Sequence, residues 1–331
     1  MEEQIHLFEA IKRKISDRQR LADVIEELLG VSSDSAYRRI RGETELTFSE
    51  LKKICDKFNL SLDEILNYRS TQGAVFRYDP IHLMDNEIYL TRLKRMLDVF
   101  KSASDKEIIH TARSIPLYHL VLYPELAYLN LYSWNNIFMD NGSKFTSYDD
   151  FCSNLDKERI ISMYQLIHHA QMSLPTKEIW TGQTLGVTLK LLEYFYSTGA
   201  FGKKDTVLFL LDQLSQLMDM VHQYADDGHK GNEQKTPFSL YDCSVDMCHN
   251  CMLIMNGTQL SMTIRLHLVN FIDTENEVLC DATLKWQRGL ISKSTPISGE
   301  SSAMQRFRFF ESAKNKIEGL AKKVKKKVIT M

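Results

Sequence analysis

The chain has 331 residues, of which 44% are hydrophobic and 25% charged, a globular composition that excludes disordered and collagen-like architectures. There are 41 Lys and Arg residues and 43 Asp and Glu residues, giving a net charge of −2 that excludes a uniformly basic surface but allows a local basic patch. The six cysteines are too few for a disulfide scaffold. Because the sequence has neither a membrane-length apolar run nor an N-terminal secretory signal, we expect a cytoplasmic protein of two domains.

Residues 1–67 are predicted to form a compact domain of five short helices. Apolar residues recur there at helical spacing, in segments separated by turn and capping residues. Gly30 can end the second helix in a left-handed conformation, and Ser32 or Ser33 can cap the third. Capping boxes at residues 47–50 and 61–64 open the last two helices.

The third helix has the composition of a helix that reads DNA. Its first turn is small and polar, which suits contact with base edges in the major groove, and arginines follow that can reach phosphates or a guanine edge. A second basic cluster precedes the second helix. The residues predicted to bind DNA are Ser33, Asp34, Ser35, Tyr37, Arg38, Arg39, Arg41, Arg18 and Arg20. The alternative is that these charges form a solvated face and that the domain binds protein.

The turn Gly30-Val31-Ser32, the run from Tyr37 to Glu43 and the closing Ser61-Leu62-Asp63-Glu64 resemble the lambda repressor/Cro-type (XRE) helix-turn-helix family over residues 16–67. The resemblance implies that the third helix is a recognition helix, with base contacts from its first turn and from Arg38 or Arg39. It also implies binding to double-stranded DNA as a homodimer. The function predicted is therefore a transcriptional regulator, and the alternative is a protein-interaction scaffold that has lost DNA binding.

Residues 68–82 are predicted to be a linker, and residues 83–331 an α+β domain for dimerisation and effector sensing. Helices are predicted at residues 86–103, 124–139, 156–173, 182–198, 205–225 and 300–328. Residues 107–112 fit either a strand or a helical turn. An aromatic-rich segment contains Tyr118, Tyr123, Tyr128 and Trp134. Such residues usually form core, but they are also the best candidates for an effector pocket.

Residues 252–286 are predicted to form a small antiparallel β-meander. Asn256-Gly257 is typical of a type I′ hairpin turn between strands at 252–255 and 260–268. Alternating apolar residues at 278–286 indicate a third strand. The fold class predicted is therefore mainly α, with a five-helix helix-turn-helix domain followed by the α+β domain.

Four cysteines and a lysine cluster complete the candidate sites. Cys243, Cys248, Cys251 and Cys280 have the spacing of plant-type iron–sulfur ligands, and zinc could use the same set. The intervening residues are not small, however, so buried thiols are favoured and we expect no metal or other cofactor. No catalytic motif is present, so no enzyme is predicted. Lysines crowd residues 322–327, where they either complement the helix dipole or contact phosphate or an acidic surface.

Overall fold

The structure, a computed structural model, divides the chain into two compact units, Met1–Phe76 and Arg77–Met331. It describes residues 2–12, 15, 20–58, 60, 73–78, 85–101, 106–138, 145–231, 233–246, 249–266 and 268–326. Among these residues, no helix combines the length and the apolar character needed to cross a membrane.

Within the described residues, the regular secondary structure of the first unit is entirely helical. Its helices are α1 (Glu2–Lys12), α2 (Leu21–Leu29), α3 (Ser33–Ile40) and α4 (Phe48–Phe58). They enclose a small core of Leu7, Phe8, Ile11, Ile25, Ala36 and Ile54. The fifth predicted helix, at residues 61–66, lies outside the described residues.

Local signals set the connection between α2 and α3. Gly30 ends α2 with φ of 67°, a left-handed conformation that costs glycine little, and its N–H donates to the Glu26 carbonyl. The Ser32 hydroxyl accepts a hydrogen bond from the Ser35 amide and so caps α3. The turn between the two helices is therefore three residues long, as the sequence predicts.

The second unit combines helices with one mixed sheet. Its helices are α5 (Asn86–Lys101), α6 (Leu117–Leu120), α7 (Pro124–Phe138), α8 (Tyr148–Ser153), α9 (Lys157–Met172), α10 (Thr184–Ser197), α11 (Lys204–Asp227), α12 (Glu277–Lys293) and α13 (Ala303–Lys326). Its strands are β1 (Arg77–Tyr78), β2 (Lys106–Ala112), β3 (Thr176–Trp180), β4 (His229–Lys230), β5 (Thr236–Asp242), β6 (Cys251–Asn256), β7 (Gln259–Leu266), β8 (Asn270–Thr274) and β9 (Thr295–Pro296).

The sheet has the strand order β1-β8-β7-β6-β2-β3-β5-β4, and β9 pairs with β5. Strands β2, β3 and β5 are parallel, whereas the other pairings are antiparallel. Alternate residues of each strand face opposite sides. Ile108 therefore joins the large core beneath the helices, while Ile109 packs in a smaller core with Leu290 of α12.

The predicted third strand of the meander is wrong. Residues 278–286 belong to α12, which begins after Asn276 because the side chain of that residue accepts a hydrogen bond from the Leu279 amide. Cys280 and Leu290 are buried, whereas Val278 and Trp286 are 56% and 44% exposed. The apolar residues that suggested alternation thus lie largely on the outer side of a helix.

The other strand predictions have mixed outcomes. Strands β6 and β7 form the predicted hairpin, but its turn lies one residue later, at Gly257-Thr258. Asn256 pairs with Gln259 at the end of the strands, and Gly257 has φ of 58°. These strands are not a separate meander, because they continue into β8 on one side and β2 on the other. The ambiguous residues 107–112 lie in β2, and Arg77 and Tyr78, inside the predicted linker, form β1 against β8.

Candidate nucleic-acid interface

Helix α3 directs a polar face to solvent. Ala36 is its one fully buried side chain. Most residues predicted to bind DNA are exposed, namely Ser33, Asp34, Tyr37, Arg38 and Arg41, and also Arg20 at the start of α2. Ser35 and Arg39 are half-buried, and Arg18 lies outside the described residues. The structure therefore brings five of the predicted residues together on or beside the outer face of α3.

Two exposed arginines of this face share one carboxylate. The Nε atoms of Arg38 and Arg41 lie 3.9 and 3.0 Å from the carboxylate oxygens of Glu43, and the arginine side chains are 54% and 59% exposed. Ion pairs this exposed contribute little to stability. Both guanidinium groups can therefore leave Glu43 for a phosphate at small cost, although Glu43 offsets part of their positive charge.

Arg39 has a different role from its neighbours. Its Nη2 atom lies 2.9 Å from Glu50 Oε1, its Nη1 atom donates to the Ser35 hydroxyl at 2.7 Å, and both ionic side chains are about 15% exposed. Glu50 also completes the capping box of α4 by accepting from the Thr47 amide at 2.9 Å. Arg39 thus links α3 to α4 and has a structural role.

The pKa of Glu50 reflects these contacts. Partial burial acts to raise the pKa of this carboxyl group, but the Thr47 amide and the Arg39 guanidinium outweigh that effect and lower it. Glu50 therefore remains ionised and keeps its bond to Arg39 near neutral pH.

Gln4 supports the loop that follows α3, a role that the sequence analysis missed. Its Nε2 atom donates to the carbonyls of Arg39 and Thr44 at 2.7 and 2.8 Å, and its Oε1 atom accepts from the Leu46 amide at 3.0 Å. The loop carries Arg41 and Glu43, so Gln4 helps to position the charged face. These partners are 35 to 42 residues distant in sequence, so no local pattern predicts the contact.

The four aromatic residues predicted to line an effector pocket belong to the core of the second unit. Tyr118, Tyr128 and Trp134 are buried, and Tyr123 is half-buried and packs against that core. A cleft of about 440 Å³ nearby is lined by ten residues, among which none of the four occurs: Glu125, Tyr148, Asp149, Cys152, Ser153, Lys157, Asp205, Thr206, Phe209 and Leu210. The carboxylates of this cleft lie in the first turns of helices, where they offset helix dipoles.

Tyr118 instead takes part in a buried polar network around Glu178. Its hydroxyl donates to Glu178 Oε1 at 3.1 Å, and His119 Nε2 lies 2.8 Å from the same oxygen. Trp180 Nε1 donates to the other carboxylate oxygen at 2.7 Å, and His110 Nδ1 lies 3.0 Å from the Tyr118 hydroxyl. All five side chains are at most 7% exposed, so the network holds the parallel strands together and has no access to a ligand in this structure.

Burial and charge set the pKa values in this network. Burial alone would raise the pKa of Glu178, but the His119 charge and the hydrogen bonds from His119 and Trp180 lower it. Burial lowers the pKa of His110 to about 4, and the nearby carboxylate only partly opposes this shift. His110 is therefore neutral in the folded protein at physiological pH.

The four cysteines that the sequence analysis considered as possible metal ligands do not form a site within the described residues. Cys243, Cys251 and Cys280 are buried free thiols. Burial raises the pKa of Cys251 to about 12 and that of Cys280 to about 11, which disfavours the thiolate that binds metal. Among the residues described, no three His, Cys, Asp or Glu side chains are placed to hold a metal ion. Cys248 lies outside them.

Comparison with known proteins changes the family assignment. Residues 7–88 match the BetR domain, so the match runs from within α1 to the start of α5 and covers about a quarter of the chain. The assignment to the lambda repressor/Cro-type family is therefore wrong. It rested on a glycine turn and capping boxes, which short helical domains of different families can share. No curated protein and no solved structure matches the chain.

Proposed function

We propose that the protein is a transcriptional regulator whose first unit binds double-stranded DNA through α3. The observation that carries this proposal is the exposed polar face of α3, with Arg38 and Arg41 side chains more than half exposed beside a small polar first turn. A helix of this kind can enter the major groove. The match of residues 7–88 to a BetR domain supports a regulatory role.

The residues of α3 have different roles in the proposed DNA contact. Ser33 can bond to any base edge, and Asp34 can accept from the amino group of cytosine. Arg38 and Arg41 contact phosphates or a guanine edge once they leave Glu43. Arg39 keeps α3 in place through Glu50.

We also propose that the second unit forms a homodimer and responds to an effector. A two-fold dimer would place two copies of α3 about one turn of DNA apart, so the bound sequence would consist of two half-sites. The half-site spacing is therefore a direct readout of dimerisation.

The test compares charge variants of the exposed face in DNA binding by the full chain. Arg38→Ala with Arg41→Ala should weaken binding 10-fold or more, because a bidentate arginine contact to a guanine edge contributes roughly 1–3 kcal/mol and the loss of a phosphate contact weakens binding further. Glu43→Gln should tighten binding by freeing both arginines. A matched control replaces Lys285 and Arg288, exposed cations of α12, with alanine. Unchanged affinity in the arginine variant would refute this docking mode.

A protein-interaction scaffold is the second candidate, and the position of Glu43 favours it. A carboxylate within 4 Å of both exposed arginines lowers the positive potential that DNA requires. If the protein is a protein-interaction scaffold, the unaltered protein lacks DNA affinity and Glu43→Gln does not create it. The same titrations therefore distinguish the two functions.

A further inference from the structure

The C-terminal half of α13 carries a strong positive charge on its exposed surface. Residues 314–326 contain one acidic residue, Glu318, and six lysines: Lys314, Lys316, Lys322, Lys323, Lys325 and Lys326. All seven side chains are exposed. We call these six lysines the lysine surface.

The lysine surface is fixed on a packed helix. Ile317, Leu320 and Val324 form a buried stripe on α13, which packs against α10 and α11. The Tyr196 hydroxyl of α10 also donates to the Val324 carbonyl at 3.2 Å. Burial of one side of the helix leaves the lysines on the other sides, projecting from a rigid element.

Contacts within the protein satisfy only part of this charge. Lys323 pairs with Glu193, and Lys322 lies 3.5 Å from Glu318 in a solvent-exposed pair. Lys316 donates to the Gly182 carbonyl at 3.1 Å. Lys314, Lys325 and Lys326 form no ion pair with any residue that the structure describes.

The helix dipole does not account for the whole surface. It favours cations within the last turn, which explains Lys323, Lys325 and Lys326. Lys314 and Lys316, however, lie ten or more residues before the end of α13 at Lys326, far outside that turn. A partner with repeated negative charge fits a cationic surface of this length.

We propose that the lysine surface contacts the phosphates of double-stranded DNA and adds sequence-independent affinity to that of α3. This inference rests on the proposed function. Lysine suits such contact because it is a flexible point charge without the bidentate geometry of arginine. A membrane surface fits less well, because residues 314–326 expose no large apolar side chain that could enter lipid.

The test measures the salt dependence of DNA binding by the full chain. Lys325→Gln with Lys326→Gln should reduce the slope of log affinity against log salt by about 1.8, since each phosphate contact contributes about 0.9. The ratio of the affinity for a DNA sequence selected from a random pool to that for a scrambled duplex should not change. The control, Lys285→Gln with Lys293→Gln, removes two exposed lysines of α12 and should leave the slope unaltered.

The outcomes separate this inference from the proposed function. If Arg38→Ala with Arg41→Ala abolishes specific binding while the lysine variant keeps the full slope, the lysine surface does not contact DNA and the proposed function stands. If the unaltered protein does not bind DNA, both fail. Flotation with vesicles of phosphatidylserine and phosphatidylcholine completes the test. Lysine-dependent flotation together with an unchanged DNA slope would overturn the inference in favour of a membrane.

Discussion

His110 and Glu178 occupy paired positions on the parallel strands β2 and β3, inside the core of the second unit. A buried carboxylate is costly unless donors surround it, and here Tyr118, His119 and Trp180 supply them. His110 extends the network from the far side of Tyr118. A neutral histidine at this point makes the stability of the unit depend on pH.

The expected pH dependence has a definite sign. The unfolded chain binds a proton at His110 below a pKa of about 6.5, whereas the folded protein does so only near pH 4. Between these values the unfolded state binds more protons than the folded state. The free energy of unfolding therefore decreases as the pH is lowered, by on the order of 3 kcal/mol in total. Urea unfolding at a series of pH values should show that His110→Asn loses less free energy of unfolding than the unaltered protein as the pH is lowered.

Asparagine keeps a donor near the position of the His110 Nδ1 atom, so the bond to Tyr118 can persist without a titrating group. His169 is exposed on α9 and supplies the matched control, His169→Asn. That variant should retain the full pH dependence. An identical pH dependence in His110→Asn and the unaltered protein would show that His110 is not the titrating group.

Single residues also show where sequence reasoning about the site stops. The run Arg38-Arg39-Ile40-Arg41 suggests three equivalent cations, but Arg39 is paired with Glu50 and the other two are exposed. The capping box Thr47–Glu50 could be predicted locally. The other contact of Glu50, with Arg39 eleven residues earlier in α3, depends on how α3 and α4 pack. The local sequence does not predict this packing.

At the scale of elements, α1 holds the loop between α3 and α4 through Gln4. Gln4→Ala removes three hydrogen bonds, one of them to the Leu46 amide. Because one hydrogen bond contributes about 1 kcal/mol, Leu46 should exchange its amide hydrogen roughly fivefold faster or more. Glu9→Ala, an exposed change on the same helix, is the control. Unaltered protection at Leu46 would mean that Gln4 does not support the loop.

Elements with strong local signals could be predicted, and those that depend on tertiary pairing could not. The helices at 86–101, 124–138 and 204–227 follow the apolar periodicity closely. Strands β3 and β5 are not predicted, because these short segments mix polar and apolar residues, with Lys177 and Glu178 inside β3. Parallel strands also find their partners through long crossovers, which no local pattern shows. The sequence predicts a strand at residues 278–286 because every second residue near Cys280 is apolar, although Asn276 is also a helix-capping residue and the helix runs from Glu277 to Lys293.

At the scale of the whole molecule, two surfaces carry the positive charge that the net value of −2 conceals. The first is the outer face of α3, where Glu43 moderates Arg38 and Arg41. The second is the lysine surface of α13. A protein of this kind would gain sequence preference from the first and salt-sensitive affinity from the second.

The most direct test of the central claim is selection of DNA from a random pool by the purified full chain at about 50 and 200 mM salt. We predict enrichment of one sequence made of two half-sites about 10 base pairs apart, and its survival at the higher salt. Binding that shows no sequence preference and disappears at the higher salt would contradict the claim that α3 reads DNA.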